Sequence, residues 1–486
     1  MKMKNEKILI GWGSRDVTPK GKVSLRGQFH IRISDEIHDP LTTTALALES
    51  ADASEQAIIV SLDSVWISEA LNSLCRKIIK EELADFDPEK LLISATHTHT
   101  APCQKTDPFR DPPGLSSDIL TPDEYIDFLA SKICKAAVEA WNNRKLGALG
   151  WGRGHAVVGF NRRVSYLDGS TVMYGKTDVP EFSHVEGYED HGVDMLFTYT
   201  VDHKLTGMIL NVPCPSQCSE VSWLISADYW HDTRQAIRAK HGEKLYILPQ
   251  CSAAGDQAPR TMVNRKADAR MLKLKGYKTN EKLGIDYNTA RRQDIADKIT
   301  AAVDEVLPLV AKDIRDELEF CHAVINLNLK QRIASKEDLA IAREEVASWK
   351  AKLDELKDAD PASVDYSRAF RRIGFNQKVI DLYKAQQHGE QLGFPVELHT
   401  IRLGDIAMST NRFEYYLDFG LRIKARSKAI QTFIVQLAGN GTYLPTERAM
   451  SGGSYGAYIA STPIGPEGGQ EIVENQVETI NKMFEG

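Results

Sequence analysis

Eight short runs rich in β-branched residues recur along this chain: Ala57–Ile67, Leu91–Ala95, Met195–Val201, Gly207–Val212, Leu245–Pro249, Cys321–Leu329, Val396–Ile401 and Phe433–Leu437. Helical patterns lie between many of them. Asn72–Phe86 sets Leu74, Cys75, Ile78, Ile79 and Leu83 on one face. Thr121-Pro122-Asp123-Glu124 is a capping box with proline at the first helical position, opening a helix through Tyr125, Leu129, Ile133 and Trp141. A further helical pattern covers Asp294–Val310. Strands alternating with helices predict a layered α/β domain, mixed sheets with flanking helices.

Ser335–Lys357 has a different texture. Leu339, Val346, Trp349, Leu353 and Leu356 make a narrow apolar seam among charges. After the Asp358-Ala359-Asp360-Pro361 break, Phe370, Ile373, Val379 and Leu382 mark a second helix. The pair predicts an inserted helical hairpin at about 335–388, read as a scaffolding or oligomer-contact element.

The 486 residues carry a net charge of -7, which offers no basic footprint for nucleic acid or an anionic membrane. No stretch approaches the roughly 20 apolar residues of a membrane-spanning helix. Seven scattered cysteines do not make a disulfide framework and suit a reducing compartment. The expected location is cytoplasmic, or periplasmic or secreted if a leader has been removed.

Leu91–Ala95 reads as a buried strand running directly into Thr96-His97-Thr98-His99-Thr100. Residues i and i+2 of an extended segment point the same way, so His97 and His99 share a face. Two imidazoles at a strand end suit a divalent metal such as zinc. Three later segments also follow strands. Asn211–Cys218 presents Cys214 and Cys218, or is a proline-stiffened turn with packed thiols. Cys251–Arg260 is a small-residue turn able to offer N–H groups to an anion, or an ordinary connection. Ser409–Glu414 enters a helix at Tyr415–Lys424, with Glu414 a cap or a ligand.

In order and content these segments resemble the catalytic domain of the neutral/alkaline ceramidases, zinc amidases that cleave the N-acyl bond of ceramide. The family's ATHTHSGP corresponds to Ala95–Pro102, NRSP to Asn161-Arg162-Arg163-Val164 and GDVSPN to Gly255–Arg260. Its PGEFTTMAGRR corresponds to Asn411–Arg422, and its YxTT segment to Tyr443-Leu444-Pro445-Thr446. The likeness runs from Ile8 to about Pro466. It implies one ceramidase-like catalytic domain over residues 1–486. The family's immunoglobulin-like C-terminal domain is expected to be absent, since about 40 residues follow Tyr443.

The resemblance implies zinc ligands at His97, Glu414 and Tyr443, with Cys214 where the family has a second histidine. His231 or Cys218 is the alternative at that place. The family's serine is Ala258 here, so covalent catalysis through that position is not available. His99 and Asp256 are expected to handle protons, with Arg162, Gln257 and Arg260 binding substrate. The resulting expectation is a zinc-dependent hydrolase of an amide or ester bond in a polar small molecule, using metal-activated water. One alternative is a glycan-active hydrolase, glycosidase or carbohydrate deacylase, with Trp223, Tyr229 and Trp230 against the sugar. The other is an inactive, metal-stabilised binding protein. Oligomerisation is compatible with all three.

Overall fold

The computed structural model describes residues 5–105, 111–277, 286–388 and 393–485. Eight long strands form the larger sheet: β1 (Glu6–Asp16), β2 (Thr42–Ser50), β3 (Gln56–Leu62), β4 (Leu91–Ala95), β5 (Lys145–His155), β6 (Gly192–Thr200), β7 (Leu205–Val212) and β8 (Tyr246–Cys251). A second sheet holds β9 (Phe320–Lys330), β10 (Gly393–Leu403), β11 (Ile406–Thr410) and β12 (Gln431–Val435). The first sheet runs β8-β7-β6-β5-β1-β2-β3-β4, with Glu317–Leu318 adding a short pairing to β1. The second runs β9-β10-β11-β12. Both are mixed: β3·β4, β7·β8 and β11·β12 are parallel, and the other pairs within these two sheets are antiparallel.

Strand alternation builds four layers. Ala45, Ala47, Ile58, Val60 and Leu62 pack beneath the helices Glu69–Glu82 and Pro122–Asn142. Their sequence neighbours Leu46, Leu48, Ala57 and Ile59 face the other way, onto Ile401, Leu403, Ile406, Met408, Phe433 and Val435 of the second sheet. That sheet's outer face, with Leu398, Ala407 and Ile434, is covered by Leu417–Arg426 and Pro466–Met483. The helices Tyr229–His241 and Asp286–Val310 cover the β5–β8 half of the first sheet. The order is helix, sheet, sheet, helix.

The capping box forms as the sequence predicts. Glu124 N–H donates to Thr121 Oγ1 at 3.3 Å, and Thr121 N–H donates to Glu124 Oε2 at 2.9 Å. The hairpin forms too, as Lys336–Glu355 and Val364–Gln387 between β9 and β10. It packs against the body of the chain. Arg371 Nη1 donates to the carbonyls of Gln28 and His30, and Ile31 N–H donates to Ser367 Oγ.

Gly11 and Gly13 let a helix lie directly on β1. A β-carbon at either would run into the carbonyl oxygen of Ala140 or Ala136. Gly11→Ala should therefore lower stability by about 1–3 kcal/mol, because the helix must lift off the sheet. Chemical denaturation measures it, and an unchanged midpoint would refute the close approach.

A buried histidine chain ties the sheets together at one edge. His322 of β9 donates from Nδ1 to Gln56 O at 2.9 Å, and its Nε2 faces His399 Nδ1 at 2.9 Å. His399 Nε2 lies 3.0 Å from Glu397 Oε1, and Arg76 grips the same carboxylate. Burial, aided by His399, holds His322 down to about 3. Burial acts to raise Glu397, but the bonds from His399 and Arg76 outweigh it and bring it to about 2. Both folded values lie below the unfolded ones, so the unfolded chain takes up protons first on acidification. The stability that this histidine chain contributes is complete above about pH 6.5 and is lost as pH drops towards 3. Melting curves from pH 7 to pH 4 should show that decline and a shallower one in His322→Gln. An identical slope in the variant would exclude this residue as the cause.

Candidate functional site

Each of the three parallel strand pairs sends its C-terminal ends in one direction, and the loops that follow them meet. Chain ends of parallel strands are where α/β folds place their chemistry. The loop after β4 carries His97 and His99, the segment after β11 carries Glu414, and the loop after β12 carries Tyr443. Leu437 O accepts from Ala95 N–H at 3.3 Å, and Gln436 N–H donates to Cys251 O at 3.0 Å. The fully buried Gln436 side chain accepts through Oε1 from both Ala254 N–H and Tyr415 N–H. Glu414 and Tyr443 then pair side by side in a two-stranded parallel ladder.

The threonines of Thr96–Thr100 anchor the backbone. Thr98 Oγ1 and Thr100 Oγ1 both donate to Ser226 O at 2.8 Å. The histidines turn into a cavity of about 420 Å³. His97 is not extended: its φ of +68° lies in the left-handed region, uncommon outside glycine although histidine, with asparagine and aspartate, enters it more readily than other side chains. The two Nε2 atoms nevertheless lie 3.4 Å apart. The shared face was foreseen; the turn that makes it was not.

His97 Nδ1 lies 2.8 Å from Val65 O and must donate to it, since a carbonyl only accepts. Its Nε2 then aims at Glu414 Oε2, 3.3 Å away. The Tyr443 hydroxyl helps to lower the same carboxyl. Burial works to raise Glu414, but His97 and Arg162 overcome it and hold the carboxyl below its usual range. Burial and Glu414 push the Tyr443 hydroxyl well up. His99 is pushed well down by burial and by the neighbouring His97, Arg32, Arg162 and Arg26. Gln217 Nε2 donates to His99 Nε2 at 2.7 Å, and His99 Nδ1 stands 3.7 Å from Glu220 Oε2.

Among the four expected ligands, His97, Glu414 and Tyr443 line one cavity and Cys214 does not. Cys214 is fully buried among Val212, Tyr229 and Trp230, with its thiol against Val158 O at 3.3 Å. Cys218 shares that cluster, and His231 sits in the first turn of Tyr229–His241, outside the cavity lining. The expectation of a thiolate ligand is therefore corrected. Gln217, three residues on, reaches the histidines instead, and the loop Asn211–Cys218 had pointed there without singling it out.

Other expectations shift as well. Asp256 does not line the cavity; burial raises its carboxyl, and it accepts from Asn161 Nδ2 at 2.7 Å and Leu417 N–H at 3.0 Å. It fastens loops instead of moving protons at the site. Gln257 donates to Tyr188 O. Ala258 is fully buried opposite Phe160. Arg260 is bound to Glu220 at 3.1 Å and rests over Tyr174. Arg162 is nearly fully buried and committed: Nη1 donates to Tyr174 and Gln217, and Nη2 to Gly255 O and, at 3.4 Å, to Tyr443. Burial opposes its charge, yet Tyr174, Tyr443 and Glu414 outweigh that. It positions the site and does not line the cavity. Tyr229 and Trp230 are core, and exposed Trp223 lies away from the cavity, so these aromatics support no sugar subsite. Tyr455 was not foreseen. It lines the cavity beside Tyr443 and is pushed up to about 12 by burial, which keeps it a donor.

His97, Glu414 and Tyr443 offer one nitrogen and two oxygens converging on one space. A catalytic zinc takes three protein ligands and keeps one position open. His97 Nε2 and Glu414 pair at 3.3 Å as imidazolium and carboxylate; a metal cation taking the place of that proton would be held by the same two atoms, and the Nδ1–carbonyl bond is the usual outer support of a metal-binding histidine. These residues fit the metal by that measure. Without the tyrosine they would not: among the described residues no three His, Cys, Asp or Glu side chains gather to hold a metal ion.

No family model and no curated protein matches this sequence. Solved structures do. The neutral ceramidase from Pseudomonas aeruginosa is similar with a TM-score of 0.67 and 15% identity, over 99% of this chain and 75% of that one. A ceramidase complexed with C2 is similar with a TM-score of 0.68 and 14% identity, over 98% and 76%. Among the described residues no helix is long and apolar enough to cross a membrane. At such low identity the likeness is one of architecture, and the fold of this chain is that of the neutral ceramidases.

Proposed function

We propose that this chain is a zinc-dependent hydrolase that cleaves an amide or ester bond of a polar small molecule with water as the attacking group. The observation that carries this is the His97 Nε2–Glu414 contact at 3.3 Å, with Nδ1 already spent on Val65 O. The fold shared with two ceramidases supports hydrolysis as the reaction class. His97, Glu414 and Tyr443 would hold the metal. When bound, zinc supplies Lewis acidity to an acyl carbonyl and brings the pKa of water to about 7.

The chain's own residues do the rest. His99, kept neutral by burial and by the cations around it, sets its Nε2, which accepts from Gln217, 3.4 Å from His97 Nε2 and orients the site there. Gln217 fixes its ring. Tyr455 donates a hydrogen bond from the cavity wall to an oxygen of the bound acyl group. Arg162 holds Tyr443, Gln217 and the Gly255 carbonyl in register. Ala258 supplies no nucleophile, and among the described residues neither hydroxyl on the cavity wall, Ser461 or Thr442, hydrogen-bonds a base: Thr442 donates to Ser461 O, and Ser461 accepts from Gly456 N–H.

Protein purified without added metal should contain close to one zinc per chain by elemental analysis. His97→Ala and Glu414→Gln should each lose it together with hydrolysis of acyl substrates. Zinc neither present nor taken up on incubation would end the proposal.

A separate measurement addresses water as the attacking group. Pre-steady-state kinetics should show no burst, and mass spectrometry during turnover no acylated side chain. Ala258→Ser should leave the rate unchanged or lower, since position 258 is sealed in a strand pair away from the cavity. A trapped acyl-enzyme would overturn the water mechanism while leaving the metal site intact.

A further inference from the structure

The cavity is cationic in a chain that is acidic overall. Arg26, Lys105, Arg371, Lys378 and Arg412 line it, against the two carboxylates of Glu69 and Glu414. Most of these cations have other work. Arg412 bonds Glu69 at 2.7 Å as well as Asn440 O and Pro395 O. Arg371 holds the carbonyls of Gln28 and His30.

Arg26 differs. Its guanidinium stacks on the Trp66 ring at 4.3 Å, and the residue is only 6% exposed. Among the described residues no carboxylate lies within 4.0 Å of it and no acceptor takes a hydrogen bond from it, while its main chain is fully engaged. The neighbouring Arg32 shows what a structural arginine looks like in this fold. Its guanidinium donates to the carbonyls of Glu220, Ser222, Arg26 and His99. A guanidinium carries five donors, and among the described residues those of Arg26 are not sealed off: none of its nitrogens is a fully buried polar atom left without a partner, whereas Arg32 Nε is. The stack fixes the plane of Arg26 while leaving its fork of N–H groups to the cavity that also holds His97 and Glu414. A planar fork of this kind matches an oxyanion with two equivalent oxygens.

We infer that the substrate of this site carries an anionic oxygen group, carboxylate or phosphate, seated on Arg26 and Trp66. The inference rests on the hydrolase reading for the identity of the site. It narrows the substrate from polar acyl compounds to acidic ones, and the aromatic walls Phe29, Phe375 and Tyr455 leave room for an apolar or ring portion beside the charge.

Calorimetry with matched probes tests it on the whole protein: 3-phenylpropionate, its neutral isostere 3-phenylpropanamide, and benzyl phosphate. At least one anion should bind about tenfold or more tighter than the amide, and added salt should shrink the difference. The tighter of the two anions identifies the group. Arg26→Gln should erase the preference, and Arg26→Lys, which keeps charge but loses the fork, should retain part of it. Equal binding of acid and amide, no binding of any probe at millimolar concentration, or full preference in a folded Arg26→Gln would overturn the inference. If Arg26→Gln does not fold, the wild-type comparison and Arg26→Lys still decide. Anion preference without hydrolysis would sink the zinc hydrolase reading alone. Hydrolysis without charge preference would sink this inference alone.

Discussion

His97 and Glu414 reach each other from different sheets. One follows a strand of the larger sheet, the other a strand of the smaller, and their 3.3 Å contact exists only while the two sheets hold one relative position. That position is set by apolar burial. Leu46, Leu48 and Ile59 on one side meet Leu403, Met408, Phe433 and Val435 on the other, and a close-packed interior does not slide by fractions of an ångström without loss. Gln436 then ties the loop ends together where the sandwich opens. The geometry of the candidate site is thus a product of the hydrophobic interface behind it, and the polar groups only finish the alignment.

The same dependence explains which parts of the fold could be read from the sequence. Leu91–Ala95 and Gly207–Val212 are apolar, β-branched and close to their true limits, because strands buried on both faces need such residues throughout. Thr42–Ser50 was missed: Ala45-Leu46-Ala47-Leu48 has helical propensity, and only partners on both sides make it a strand. Lys145–His155 was missed for its glycines at 147, 150, 152 and 154, which weaken a strand locally yet admit Val306 and Val310 of the covering helix at 150, 152 and 154.

At the site, motif order singled out His97, Glu414 and Tyr443, and the structure brings these three to one cavity because each lies in a segment that follows a strand of the two sheets. It failed at Cys214, where a one-dimensional correspondence could not tell which residue of a turn points inward. Thiol and amide lie three residues apart, and the backbone path through Pro213 and Pro215 puts Gln217 against His99 and Cys214 in the core. Arg26 was invisible for another reason. Nothing in its local sequence separates it from Arg32; only the tally of hydrogen-bond partners in three dimensions does.

The hairpin expected to serve as scaffold or oligomer contact contributes Arg371, Phe375 and Lys378 to the cavity wall. It is inserted between β9 and β10, which pair along their whole length. Those strands stay zipped whatever the loop between them contains. The floor of the cavity, with its histidines and Glu414, belongs to strand ends that cannot change without disturbing the sandwich. The wall belongs to a segment that leaves and re-enters the sheet at adjacent points. A hairpin of another length or charge, so long as it kept its hold on residues 28–31, would change the wall of the cavity and leave the strand ends of its floor in place.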